Sequence, residues 1–423
     1  MNIKNVYLWS YLQRIINALG GVLLVIVISV FYELDEAGEF YAFYSLLGLV
    51  VIFEFGYAIL VVQRISAYSN SDFSVLDVER KKDLLHYLTV VKYFICFFLL
   101  VFPCIAYLIL EKVSSVGGIM VFPLALLIGL NMLLSMIGNF IEGLGYIEKI
   151  SKVRTIQAVF TYSALLGALL FGFGALAIVF QLISQVSIFL VLIVRLLKQE
   201  FSGLLPVSSF FKFPNYSDIR RNTFKVDSKY AFQLYITILA GLFCNQLWVI
   251  AITVNGTAEN ISKVAMVLQI VTAAAGFALT PIASRLAQIA KYQHVESNDK
   301  TKSLLKKITK DVMLSTSFVV VMASALYYIG HFYYEEKLVS VQSAFLFISS
   351  LPLLVATSLV GIIIQSRGER DVIWVSLVRI IIPSLLFFYI DSTTTDLIIS
   401  IFYFLSTVAA FLVSITYLIK RVK

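Results

Sequence analysis

Gln199–Lys229 reads QEFSGLLPVSSFFKFPNYSDIRRNTFKVDSK, a polar, basic stretch at the middle of a 423-residue chain that otherwise consists of membrane-length apolar runs. Two short patterns recur on either side of it. Phe53-Glu54-Phe55-Gly56, followed by Gln63-Arg64-Ile65-Ser66, is echoed about 221 positions later by Ala275-Gly276-Phe277 and Ser284-Arg285-Leu286. Gly138-Asn139-Phe140-Ile141-Glu142-Gly143-Leu144-Gly145 recurs 223 residues on as Gly361-Ile362-Ile363-Ile364-Gln365-Ser366-Arg367-Gly368. The two offsets agree within two residues and both straddle the central stretch, so the chain reads as a duplicated membrane protein. The expected organisation is a first half over 1–198, a cytoplasmic linker over 199–229 and a second half over 230–423.

Composition fixes the broad class. The chain is 60% hydrophobic and 14% charged, against about 25% charged in soluble domains. Its apolar runs are long and continuous rather than alternating, which calls for helices and not a barrel. Spans are predicted at 8–30, 40–64, 87–110, 117–141, 153–173, 176–197, 230–253, 261–284, 311–334, 341–365, 372–390 and 397–419. The fold class is therefore all-α integral membrane, with twelve transmembrane helices as two six-helix bundles; because six is even, the bundles are related by a parallel pseudo-repeat.

Charge sets the orientation. Of the 33 Lys and Arg residues, Lys112, Lys263 and Lys337 fall in the odd-numbered loops and Arg14, Lys92 and Arg379 inside spans. All the others belong to the two termini, the even-numbered loops and the span ends that border them, which the positive-inside rule makes cytoplasmic. Acids lean the other way: Glu33, Asp35, Glu36 and Glu39 crowd the first outer loop, Glu335 and Glu336 the fifth, Asp391 and Asp396 the sixth. The net charge of +8 is thus what a cytoplasmic membrane face needs, and it does not indicate nucleic acid. No cleavable signal is expected, since Met1–Ser10 carries only Lys4.

Little points to an enzyme. GxxxxGK[ST], HExxH and GxSxG do not occur, and Gly172-Phe173-Gly174-Ala175-Leu176-Ala177 fits a lone GxGxx[GA] only as a tight turn between spans. The outer loops are too short for a lipid-linked sugar polymerase or ligase. His86, His294 and His331 lack metal-ligand spacing, and Cys96, Cys104 and Cys244 sit within spans as small apolar residues. Neither metal nor cofactor is expected.

The informative residues are charges inside the bilayer, each costing at least about 2.5–3.5 kcal/mol unless it meets water or a partner. Arg14 lies about 9 Å along span 1, and Arg379 sits at a similar depth in span 11. Lys92 is shallower, with a stem long enough to snorkel. Glu54 is the only acid deep within a span, about 15 Å before Arg64. It is either paired, with Arg14 the available cation, or protonated, and it serves either as a structural anchor or as a proton-coupling carboxylate. Spans 1 and 7 hold equivalent places in the two halves, and both carry amide side chains. Gln13 and Asn17, with Asn245 and Gln246, are the candidates to line a cavity.

Six plus six spans, a cationic cytoplasmic face, the Glu-Phe-Gly step before Gln63-Arg64-Ile65-Ser66, and Glu142-Gly143-Leu144-Gly145 with Lys149 together resemble a bacterial polysaccharide flippase. The likeness is to the Wzx type of O-antigen flippase, within the superfamily that includes the MATE exporters. The resemblance implies a transporter of the bacterial inner membrane, not an enzyme. Its cargo would be an undecaprenyl-diphosphate-linked oligosaccharide, moved from the inner to the outer leaflet by alternating access, with H+ or Na+ as coupling ion and other polysaccharide assembly proteins as associates. Arginines of spans 1, 2 and 8 would meet the anionic carrier, here Arg14, Arg64 and Arg285, and the planar fork of Arg379 suits a diphosphate equally. A MATE-like drug or cation antiporter is the alternative; three cations against one acid inside the membrane favour the anionic cargo.

Overall fold

The computed structural model describes residues 3–49, 53–66, 78–110, 117–200, 210–283, 298–366, 377–378, 381, 385 and 394–422. Among them all regular structure is helical: α1 (Ile3–Phe31), α2 (Leu34–Leu49), α3 (Tyr57–Ser66), α4 (Val78–Leu110), α5 (Gly117–Gly143), α6 (Ile147–Leu170), α7 (Ala177–Glu200), α8 (Arg221–Asn255), α9 (Ala258–Ala278), α10 (Thr280–Ala283), α11 (Asn298–Tyr334), α12 (Val341–Ser366) and α13 (Asp396–Val422). Nine helical stretches within the described residues are long and apolar enough to cross a bilayer. Several hydroxyls inside them bond to their own helix, as in Thr357 to Leu353 O at 2.7 Å and Ser414 to Ala410 O at 2.8 Å. Polar residues can therefore sit at membrane depth without partners on other helices.

One expectation needs correcting. The second span is not one helix: α2 stops at Leu49 and α3 starts at Tyr57, with a tight 3-10 step at Phe53-Glu54 and a turn at Phe55-Gly56 between them. Hydropathy runs unbroken across this stretch because its residues are apolar. The break is imposed by backbone, with Phe55 at φ 47° and Gly56 at φ 74°, both left-handed. Within the central stretch α8 begins at Arg221, ahead of the span expected from 230. The proposed eleventh span lies almost entirely outside the described residues.

The chain forms two compact units, residues 1–9 with 46–238, and residues 10–45 with 239–423. Residues 10–45, most of α1 and α2, group with the second unit, and α8 is divided between the units at residues 238 and 239. In the second unit, α1 packs on α9 where a Cβ on Gly21 would lie 3.2 Å from Gln269 Nε2, and the start of α2 meets Ala258, whose O is 2.5 Å from a Cβ built on Gly38. In the first unit, the break before α3 packs on α8, with Ala231 O filling the space that a Cβ on Gly56 would need. The breaks match. α9 gives way to α10 at Leu279, 223 residues after Gly56 (279 minus 56), the offset that separates Gly361 from Gly138. Pro281, with no N–H to donate, stands just after this break, whereas the first unit has Gly56.

Each unit has its own core and its own end closure. In the first, α6 and α7 form a hairpin closed by Gly172 at φ 80°, with Phe173 N donating to Ala168 O (3.1 Å) and Gly172 N to Leu169 O (2.9 Å). In the second, Trp248 and Phe347 pack on Tyr403 at centroid distances of 5.5 and 5.1 Å. Lys337 Nζ caps the end of α1 by donating to Ser29 O (3.0 Å) and Tyr32 O (2.7 Å). Asp396 Oδ2 accepts from Ser340 N at 2.7 Å, and Asn260 Nδ2 donates to Thr394 O at 3.0 Å.

Candidate functional site

In the first unit the notable place is the helix break. Phe53 is buried against Phe98 and Phe102 of α4, and Phe55 lies between Phe94 of α4 (4.9 Å) and Tyr235 of α8 (5.3 Å). Tyr57 continues the aromatic wall with Phe94 and Phe224. Glu54 sits inside this apolar surround, half-buried, with no hydrogen-bond or ion-pair partner among the described residues. Arg14, suggested above as its partner, falls in the other unit.

In the second unit Arg14 is half-buried on α1, next to half-buried Gln13 and one turn before exposed Asn17. It has no carboxylate partner among the described residues. The arginines at the basic end of the first unit differ. Arg64 donates from Nε (3.0 Å) and Nη2 (2.7 Å) to Asp227 Oδ1, while Tyr87 Oη donates to Asp227 Oδ2 at 2.8 Å. Asp227 is 3% exposed in its side chain but Arg64 45%, so one edge of the guanidinium stays open. Arg154 Nη1 bonds Glu142 Oε2 and its Nη2 bonds Asn139 Oδ1, both at 2.6 Å. Arg220 pairs with Asp83, and its backbone N donates to His86 Nδ1 at 3.2 Å.

Glu54 and Arg64 belong to the first unit, and Arg14, Gln13 and Asn17 to the second. Asn245 and Gln246 lie on α8, but their side chains, like Arg285 and Arg379 altogether, are outside the described residues. Sequence reading missed Asp227, Tyr87, Arg154, Arg220 and Asp83. The signal available was that Asp83, Glu142 and Asp227 are acids on an otherwise basic face, where each needs a cation. Among the described residues no three of His, Cys, Asp and Glu converge as metal ligands.

The Gly138–Gly145 motif acquires a structural role from this geometry. Asn139 and Glu142 seat Arg154, and Gly143 lets α5 approach α3, where a Cβ would stand 3.0 Å from Ile65 Cβ and 3.1 Å from Val62 O. Glu142→Ala leaves the Arg154 charge without its acid and is expected to cost about 1–3 kcal/mol. Thermal unfolding of the detergent-solubilised protein should drop accordingly, with Glu142→Gln intermediate.

No family model matches the chain, and no curated protein matches it significantly. Solved structures do. The chain is similar to the MATE multidrug transporter DinF-BH, solved with a ligand bound, at TM-score 0.66 and 12% identity, covering 99% of this chain and 95% of that one. It is also similar to an outward-facing multidrug resistance MATE family transporter of the MOP superfamily (TM-score 0.61, 14% identity, 99% and 94% covered). A MATE structure in the bent conformation matches at TM-score 0.60 and 13% identity, with 99% and 94% covered. The whole chain therefore has the fold of MATE transporters, a multi-pass helical membrane fold.

Proposed function

We propose that this chain is a flippase moving an undecaprenyl-diphosphate-linked oligosaccharide from the inner to the outer leaflet of the bacterial inner membrane, by alternating access and driven by H+ or Na+. Its basic face, with both termini, is cytoplasmic. One observation carries the anionic cargo: Arg14 is an intramembrane arginine without a carboxylate among the described residues, whereas Arg64, Arg154 and Arg220 each have one. A charge at that depth must meet water or a ligand, and a planar guanidinium fits phosphate oxygens with paired bonds. Arg379, and the open edge of Arg64 with its repeat counterpart Arg285, extend the path for the diphosphate. Gln13, Asn17, Asn245 and Gln246 offer amides to the sugar, and Glu54 takes the coupling ion.

The likeness to multidrug MATE structures favours a second reading, export of an organic cation, for which Glu54 would be the cargo site. Complementation of a flippase-null strain separates the two. Arg14→Ala should cut surface polysaccharide severely, Arg14→Lys restore it in part because it lacks the fork, and Arg14→Glu be worst. Equal polymer from the Ala and Glu variants at normal abundance removes Arg14 from the path. Export of a fluorescent cationic dye without any polysaccharide rescue by the wild-type chain favours the second reading.

A further inference from the structure

The stretch from Phe210 to Lys229 is folded onto the first unit at several points and still holds apolar rings outward. Phe210 is 1% exposed and packs edge-to-face on Phe140 at 5.6 Å. Asn215 Oδ1 accepts from Ser217 N at 3.2 Å, closing a short 3-10 turn, and Arg220 is clamped to Asp83 and His86. Between these pins Phe213 is 93% exposed, Tyr216 61% and Phe211 41%. A free loop could turn such rings inward at no cost, but a pinned one cannot. Leaving a Phe in water forgoes about 1.5–3 kcal/mol of burial.

The charges of the same stretch are sorted by sign. Neither of its two acids is exposed: Asp227 bonds Arg64, and Asp218 is half-buried. Its exposed charges are all cations: Lys212, Arg221, Lys225 and Lys229. Arg221, Lys225 and Lys229 follow at i, i+4 and i+8, on one face of α8, and Phe232 extends that face 61% exposed into the apolar run. Arg221 is held over the Tyr216 ring at 6.0 Å, which joins the aromatic and cationic sets into one surface.

We propose that Phe211–Lys229 is a membrane-surface strap, with Phe211, Phe213 and Tyr216 seated in the headgroup region and Arg221, Lys225 and Lys229 binding the phosphates of anionic phospholipid in the leaflet on the basic face. The continuity with Phe232 selects lipid over a protein partner, because a face that runs into the bilayer core meets acyl chains there. Sign-sorted cations add roughly fivefold each in partition towards an anionic surface. The inference does not depend on what the protein transports.

The test uses the full chain in proteoliposomes, with Phe213→Cys carrying an environment-sensitive fluorophore and the native cysteines replaced by serine. In phosphatidylcholine–phosphatidylglycerol vesicles the emission should be blue-shifted, quenched by brominated lipid and protected from aqueous iodide. Protection should weaken with salt and in pure phosphatidylcholine, and Arg221→Gln with Lys225→Gln and Lys229→Gln should abolish its dependence on phosphatidylglycerol. Full iodide quenching without lipid quenching places the strap in water and overturns the proposal. Shielding from both quenchers, which signals a covering protein, overturns it as well. Lipid quenching indifferent to headgroup charge and to the three substitutions removes the phosphate contacts.

Discussion

Gly56→Ala is expected to leave almost no folded protein in the membrane. At φ 74° a side chain costs about 1–2 kcal/mol by backbone strain alone. The added Cβ would also collide with Ala231 O and lie 2.8 Å from Tyr235 N, backbone atoms of α8 that cannot move without shifting the helix. Overpacking of this kind adds typically 1–3 kcal/mol or more, against a total stability of about 5–15 kcal/mol. Phe55 beside it is already left-handed, so the turn has no slack. Gly276→Ala and Gly167→Ala are the controls, since nothing lies within 4 Å of a Cβ at either place. Membrane abundance and thermal unfolding in detergent read the outcome. Wild-type abundance and melting for Gly56→Ala would mean that α3 and α8 do not meet there.

Glu54→Gln is expected to leave a folded, inserted protein whose transport no longer responds to the ion gradient. The amide keeps the shape and removes the group that can take a proton or Na+. Because Glu54 has no partner among the described residues, its substitution strands no opposite charge, unlike the case of Asp227, where Arg64 would be left unpaired. Loss of activity would then report on coupling rather than folding. Transport should fall to near background, and its residue should be flat when external pH or Na+ is varied. Gradient-dependent transport by Glu54→Gln at wild-type levels would reduce Glu54 to a structural residue.

Much of this architecture could be read from the sequence because bilayer thickness imposes span length, and hydropathy records it directly. The helix-rich membrane fold, the duplicated plan and the turn at Gly172 follow from apolar runs, a repeated offset and a glycine. The division of span 2 does not, because Val51-Ile52-Phe53 and Tyr57-Ala58-Ile59 are as apolar as any continuous helix, and the break resides in two dihedral angles. The Arg64–Asp227 pair is 163 residues apart in the chain, and no local pattern joins them. Arg154 was counted only among the basic loop residues. Its seat on Asn139 and Glu142 depends on how α5 and α6 turn about each other, which charge counting does not see.

The packing of α1 on α9 has a consequence for biosynthesis. Gly21 rests beside Gln269, 248 residues later (269 minus 21), so α1 is inserted long before its packing surface exists. At about 5–20 residues per second that interval is roughly 12–50 s. During it, the face of Gly20, Gly21, Leu24 and Ile28 must be covered by lipid or by the insertion machinery. Early degradation of nascent chains should therefore be governed by how long α1 waits for α9, and a ribosome stall in the central stretch would expose the same surface as a mutation in it.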